Sequence, residues 1–202
     1  MSKALFDTIR RLLGRPLTQA DVNAVNAALE GRTTPDAPSP PETLGTPQRV
    51  SEGGLALIKQ FEGLARVRSD GLVEAYPDPG TGGAPWTIGW GATGPGIKPG
   101  TVWTRKQADD RLKLDVARHA DDVARALGSA LAATSQAQFD ALVSFHYNTG
   151  AIGRATLTRL HKAGLFADAA AEFARWNRAG GRVLPGLTRR RKAEAAMYRS
   201  GS

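Results

Sequence analysis

Residues 61–93 read FEGLARVRSDGLVEAYPDPGTGGAPWTIGWGAT, and the architecture follows from what this stretch does at each end. Leu55, Leu57, Ile58 and Phe61 lead into it at the spacing of one helix face, and Gly63 supplies a stop, so a helix is predicted from Ser51 to Gly63 with Glu62 in its last turn. Asp70-Gly71 is a strong hairpin dipeptide. Flanked by Val67 and by Leu72-Val73, it predicts two short antiparallel strands. After Asp78 comes a glycine-rich turn, and Thr87 to Trp90 reads as a further strand.

Beyond Thr104 the apolar pattern is helical to the end. Thr104 with Gln107 and Ser135 with Gln138 have capping-box spacing, and Phe166 to Trp176 and Leu187 to Tyr198 complete a helical lobe. The fold class is α+β, a small β-hairpin lobe joined to a larger α-helical lobe. Upstream, residues 3–30 carry two amphipathic helical patterns, Leu5, Ile9, Leu12 and Leu13 and then Val22, Val25 and Leu29 after Thr18. Residues 31–50 hold five of the twelve prolines, the composition of a semi-rigid linker. The predicted organisation is a helical module over 1–30, a linker over 31–50 and one main domain over 51–202.

The 202-residue chain has no cysteine, which excludes disulfides, thiolate metal sites and a cysteine nucleophile. Its formal charge is +8 with a sequence pI of about 10.3. From Arg154 to Ser202 there are eleven Lys and Arg against three Asp and Glu, so the last quarter carries the whole excess and favours an anionic partner. The predicted helix over 18–30 contains Asp21 and Glu30 and no Lys or Arg, which argues against a nucleic-acid reader. The N-terminal stretch has charges among its apolar positions and lacks the pattern of a secretory signal. A cytoplasmic site of synthesis and a monomer are expected.

Cleaving a glycosidic bond needs one carboxylic acid to protonate the leaving oxygen and a second polar group to hold water or stabilise the transition state. Glu62, Asp78 and Thr87 are those group types in one stretch. Phe61 and the strands that follow are expected to wall Glu62 in apolar surroundings, which favour the protonated carboxyl a general acid needs. Asp78 in YPDPG also reads as a turn residue, and Thr87 as a β-branched strand residue. His119, His146 and His161 lack ligand spacing, so neither metal nor cofactor is expected. Trp86 and Trp90 either stack on sugar rings or fill the small lobe.

These segments resemble the phage-type muramidases, the endolysins of glycoside hydrolase family 24. FEG at 61–63, AYPD at 75–78 and TIGWG at 87–91 are similar to the family's catalytic segments, and SFHYNTG at 144–150 and GLTRRRKAE at 186–194 to its later helices. The resemblance implies a lysozyme-like fold and assigns the catalytic roles to Glu62, Asp78 and Thr87. It implies substrate contacts from Phe145, His146, Asn148 and Trp90, with one of Arg189, Arg190 and Arg191 turned toward the acidic site. Two departures are visible. Sixteen residues separate Glu62 from Asp78, roughly twice the usual interval, which makes Asp70 a rival second carboxylate, and Ala92 stands where relatives often have histidine.

The implied activity is hydrolysis of the β-1,4 bond between N-acetylmuramic acid and N-acetylglucosamine in peptidoglycan, with inversion and the two carboxyls about 6.5–9.5 Å apart. Host lysis through holin-dependent release, with an anionic envelope surface as secondary partner, completes the expectation. A lytic transglycosylase is the alternative, though it would have no water for Asp78 and Thr87 to place. A non-enzymatic wall- or nucleic-acid-binding protein is the weaker one.

Overall fold

A computed structural model describes residues 49–78 and 82–201. The helical module predicted over 1–30, and the linker up to residue 48, lie outside the described residues.

Helix α1 spans Glu52–Glu62, as the apolar spacing predicts, with Ser51 Oγ accepting from the Gly54 N–H and Gly63 closing the helix at φ +70°. Its start is tied to a distant carboxylate. Asp140 accepts from the Ser51 N–H at 3.0 Å and also from the Ser51 hydroxyl, while the Gln136 amide bridges Asp140 and the Arg49 carbonyl at 2.9 Å each. Leu55, Leu57 and Ile58 are buried, so one face of α1 is core and its last residue is left at a lobe boundary.

The β lobe is made of two-residue strands. β1 (Val73–Glu74) and β4 (Val102–Trp103) pair antiparallel, as do β2 (Tyr76–Pro77) and β3 (Trp86–Thr87), with Val73 opposite Trp103 and Tyr76 opposite Thr87. The Asp70-Gly71 turn forms, with Arg68 N–H donating to Leu72 O and a Val67–Val73 bridge. The expected strand from Thr87 to Trp90 does not run its length: Gly89 at φ +66° and Gly91 at φ +95° fold it into a turn closed by an Ile88–Ala92 bridge. Val73, Ala75, Ile88, Ala92 and Ile97 make the lobe's own small core.

Helix α2 (Arg105–Leu127) and helix α3 (Gln136–Thr149) each begin with the capping box foreseen at Thr104 and Ser135. α2 buries Ala108, Leu112, Val116, Ala120, Val123 and Leu127, one stripe of a helix about 34 Å long. α3 is buried through Gln138–His146 because α1, α2 and the last helix all pack on it. After α4 (Thr156–Lys162) and α5 (Phe166–Glu172) the helical expectation fails locally. A hairpin, β5 (Arg178–Ala179) with β6 (Arg182–Val183), turns through Gly180 and Gly181, both at positive φ, a two-residue connection favoured by Gly-Gly. Helix α6 (Pro185–Arg199) then starts on a proline, which fits a first turn needing no N–H partner.

Two buried histidines bear on acid stability. His161 is 2% exposed, between the Thr134 hydroxyl and the Tyr198 hydroxyl. Thr134 donates to the Ala130 carbonyl, so it accepts from His161 Nε2–H, and Nδ1 accepts from Tyr198. Burial lowers the His161 pKa. Burial likewise lowers that of His146, against the opposing pull of Asp122. The unfolded chain therefore takes up these protons first as pH falls, so their contribution is whole above about pH 6.5 and is lost below it, at up to ~1.4 kcal/mol per pH unit for each histidine. Thermal melts should show Tm falling between pH 7 and pH 5, with a shallower slope in His161→Gln.

Candidate active site

Glu62 ends α1 with its side chain 23% exposed, and the Arg190 Nη1 donates to its Oε1 at 2.7 Å. Gly91 faces the other oxygen: a Cβ built there would stand 3.9 Å from Glu62 Oε2. The Ala65 N–H donates to the Gly89 carbonyl at 3.3 Å, which ties the chain after Glu62 to the turn after Thr87. The apolar wall expected around this carboxyl is therefore only partial, since the Arg190 guanidinium lies 5.7 Å from the Phe61 ring centre. On the open side is a cavity of about 660 Å³ lined by Glu62, Asn148, Leu187, Arg189 and Arg190 among others.

Across the β lobe, Thr87 lies opposite Tyr76 in the β2–β3 ladder. Antiparallel partners share a face, so the register carries Thr87 and Tyr76 on one side, and Asp78 follows directly after β2. The Asp78 N–H donates to the Gly83 carbonyl at 3.0 Å, and the Gly82 N–H donates to the Asp78 carbonyl at 2.8 Å. Asp70, the rival, is at an exposed turn where Oδ1 accepts from the Leu72 N–H at 3.1 Å and Oδ2 pairs with Arg68 at 2.9 Å. Its carboxylate is used in shaping that turn.

Three of the expected substrate contacts are enclosed by protein. Phe145 has no exposed surface. It meets Phe173 and Trp176 edge to face, and Arg191 lies over its ring, so it is core. His146 is 7% exposed. It faces α2, with Nε2 at 3.3 Å from Asp122 and Nδ1 accepting from the Ile152 N–H. Trp90 is 7% exposed, its indole N–H donating to Asp109 at 2.8 Å and its ring under Lys59. On a helix enclosed from several sides, adjacent positions all become interior, so Ser144, Phe145 and His146 of SFHYNTG point inward. Of the three expected α3 residues, Asn148 lines the cavity, and its Oδ1 accepts from Arg191 at 2.9 Å.

The arginine run is corrected: two side chains turn inward, not one. Arg190 and Arg191 are 3% and 1% exposed, and Arg189 stays at the surface. Both meet Glu194, which is fully buried, through Arg190 Nε at 3.1 Å and Arg191 Nε at 2.9 Å; the Arg191 Nε contact is an ion pair whose N–H is aimed off the oxygen. Ser144 donates to Glu194 at 2.8 Å. Arg190, Arg191 and Glu194 have (i, i+4) and (i, i+3) spacing, the signal in RRKAE that would have exposed this cluster. Tyr147 is a further neighbour. Burial foremost, and then the negative charges of Glu62 and Asp115, push its hydroxyl up to about 12.

A carboxylate ending a helix where a small antiparallel lobe meets a mainly helical one defines a lysozyme-like protein. A family model described as Phage lysozyme matches residues 59–194. The endolysin of Bacillus phage PZA is 42% identical over 156 residues, 76% of this chain and 56% of its own length. The endolysin of Acyrthosiphon pisum secondary endosymbiont phage 1 is 36% identical over 158 residues, covering 75% of this chain and 98% of that protein. Among solved structures, the muramidase domain of SpmX from Asticaccaulis excentricus aligns at TM-score 0.63 and 30% identity over 75% of this chain and 97% of its own. The endolysin from Escherichia coli O157:H7 phage FAHEc1 aligns at 0.57 and 34%, over 74% and 92%. The chain belongs to the phage lysozyme family. It spans little more than half the length of the Bacillus phage endolysin it matches.

Proposed function

We propose that this protein hydrolyses the β-1,4 bond between N-acetylmuramic acid and N-acetylglucosamine in peptidoglycan, as an endolysin that opens a bacterial wall. The observation that carries the reading is Glu62 fixed by Arg190 at the edge of an open cavity, beside the lobe that bears Asp78 and Thr87. Glu62 gives its proton to the bridging oxygen as the bond from the anomeric carbon breaks. Asp78 takes a proton from a water that Thr87 helps to hold, and that water adds to the opposite face of the ring with inversion. Products gain one water, whereas a lytic transglycosylase would leave an anhydro sugar. Mass spectrometry separates the two, and proton NMR of the first anomer formed tests the stereochemistry.

The choice of aspartate has its own test. Asp78→Asn is expected to lower kcat on purified walls by about 10²-fold or more, and Asp70→Asn to leave it within about twofold because only an exposed turn is touched. The opposite ranking would transfer the role to Asp70. The basic C-terminal quarter fits an anionic envelope surface as a secondary partner, and no described helix is long and apolar enough to cross a membrane. Action at the wall after holin-dependent release, and as a monomer, belongs to the same proposal.

A further inference from the structure

Beneath the cavity lies a cluster that the proposed bond cleavage does not use. Glu194 is 0% exposed and, among the described residues, is the carboxylate that pairs with Arg191, while Arg190 divides itself between Glu194 and Glu62. Two guanidinium groups against one carboxylate leave a surplus positive charge in a buried place, where an uncompensated charge is costly. The surplus is met outward in both directions. Arg190 reaches Glu62 through Nη1 at 2.7 Å, and Arg191 reaches Asn148 through Nη2 at 2.9 Å. Arg190 Nη2 also donates to the Ser144 carbonyl at 3.3 Å, and the Ser144 hydroxyl fixes Glu194 itself. One turn of α3 and one turn of α6 are thereby locked around a single carboxylate.

We propose that Glu194 is a positioning residue for the cleft: by anchoring Arg190 and Arg191 from below, it sets the direction of Glu62 and of Asn148 together. The inference rests on the hydrolase reading above. Arg190 has rotatable bonds enough to follow Glu62 wherever it turns, and a fork shared by two carboxylates loses that freedom. Glu194 touches no sugar, so it acts on turnover through Glu62, and a displacement of about 1 Å there is enough to cost about 10²-fold in rate.

The test is steady-state kinetics on purified peptidoglycan with the full chain, alongside circular dichroism at the assay temperature. Glu194→Gln keeps the shape and removes the charge. It is expected to lower kcat about 10- to 100-fold with KM changed by less than about twofold, because a misaimed acid slows chemistry without emptying the cleft. Glu194→Asp, which restores the carboxylate, should recover at least half of that loss on a logarithmic scale. Should the Gln variant not fold, Ser144→Ala carries the test by loosening Glu194 alone, with kcat expected to fall about three- to tenfold at unchanged KM. A folded Glu194→Gln, or Ser144→Ala, with wild-type kcat overturns the inference. So does a loss shared equally by kcat and the folded fraction. Absence of turnover by the wild type would instead sink the hydrolase reading.

Discussion

Glu62→Gln is expected to lower kcat on peptidoglycan by about 10³-fold or more while moving Tm by only a few degrees. The amide keeps the shape and the hydrogen-bond acceptor but has no proton to give the bridging oxygen, and positioned general acids contribute about 10²–10⁴-fold. The loss of stability stays modest because Arg190 keeps Glu194 at 3.1 Å and because Glu62 is partly open to solvent, so water takes up part of the compensation the buried guanidinium loses. Reducing-sugar release and a thermal melt on the same preparation check both halves. Residual turnover within tenfold of wild type would mean that another group supplies the proton.

The largest stability effect is expected at Gly54, where a methyl group has nowhere to go. A Cβ there would stand 2.6 Å from Val50 Cγ1, 2.7 Å from Asp140 Cγ and 2.9 Å from Asp140 Cβ. Asp140 is buried and holds the first turn of α1 through Ser51, so it cannot retreat without releasing the cap. Overpacking of about 1–3 kcal/mol adds to a cap loss of about 1 kcal/mol. Gly54→Ala should therefore lose about 3 kcal/mol, read as a Tm lower by roughly 10 °C for a domain of this size. Since α1 ends in Glu62, kcat measured well below the melt should fall as well. Gly53→Ala, which meets only Ser51 Oγ at 3.4 Å, is the matched control.

Some of this was legible before any coordinates. Periodicity and caps located α1, α2 and α3, since a helix start such as Thr104 with Gln107 is decided within four residues. Other local signals were present and passed over. Thr101-Val102-Trp103-Thr104 has the β-branched and aromatic content of a strand, and Ala179-Gly180-Gly181-Arg182 has the turn of a hairpin. The burial of Trp90, Phe145 and His146 was not legible for a different reason. An aromatic or imidazole side chain carries no mark of whether its neighbours will be protein or solvent, and α3 is enclosed on several sides.

From its residues alone, the chain determined an α+β architecture, the Phage lysozyme family, and the candidacy of Glu62, Asp78 and Thr87, because turns, caps and amphipathic faces are local properties. Only tertiary structure decided that Arg190 is the cation that meets Glu62 and that Arg191 is the one that reaches Asn148. Those facts join residues up to 128 positions apart, and pairing at that range is set by how helices pack rather than by any spacing in the sequence.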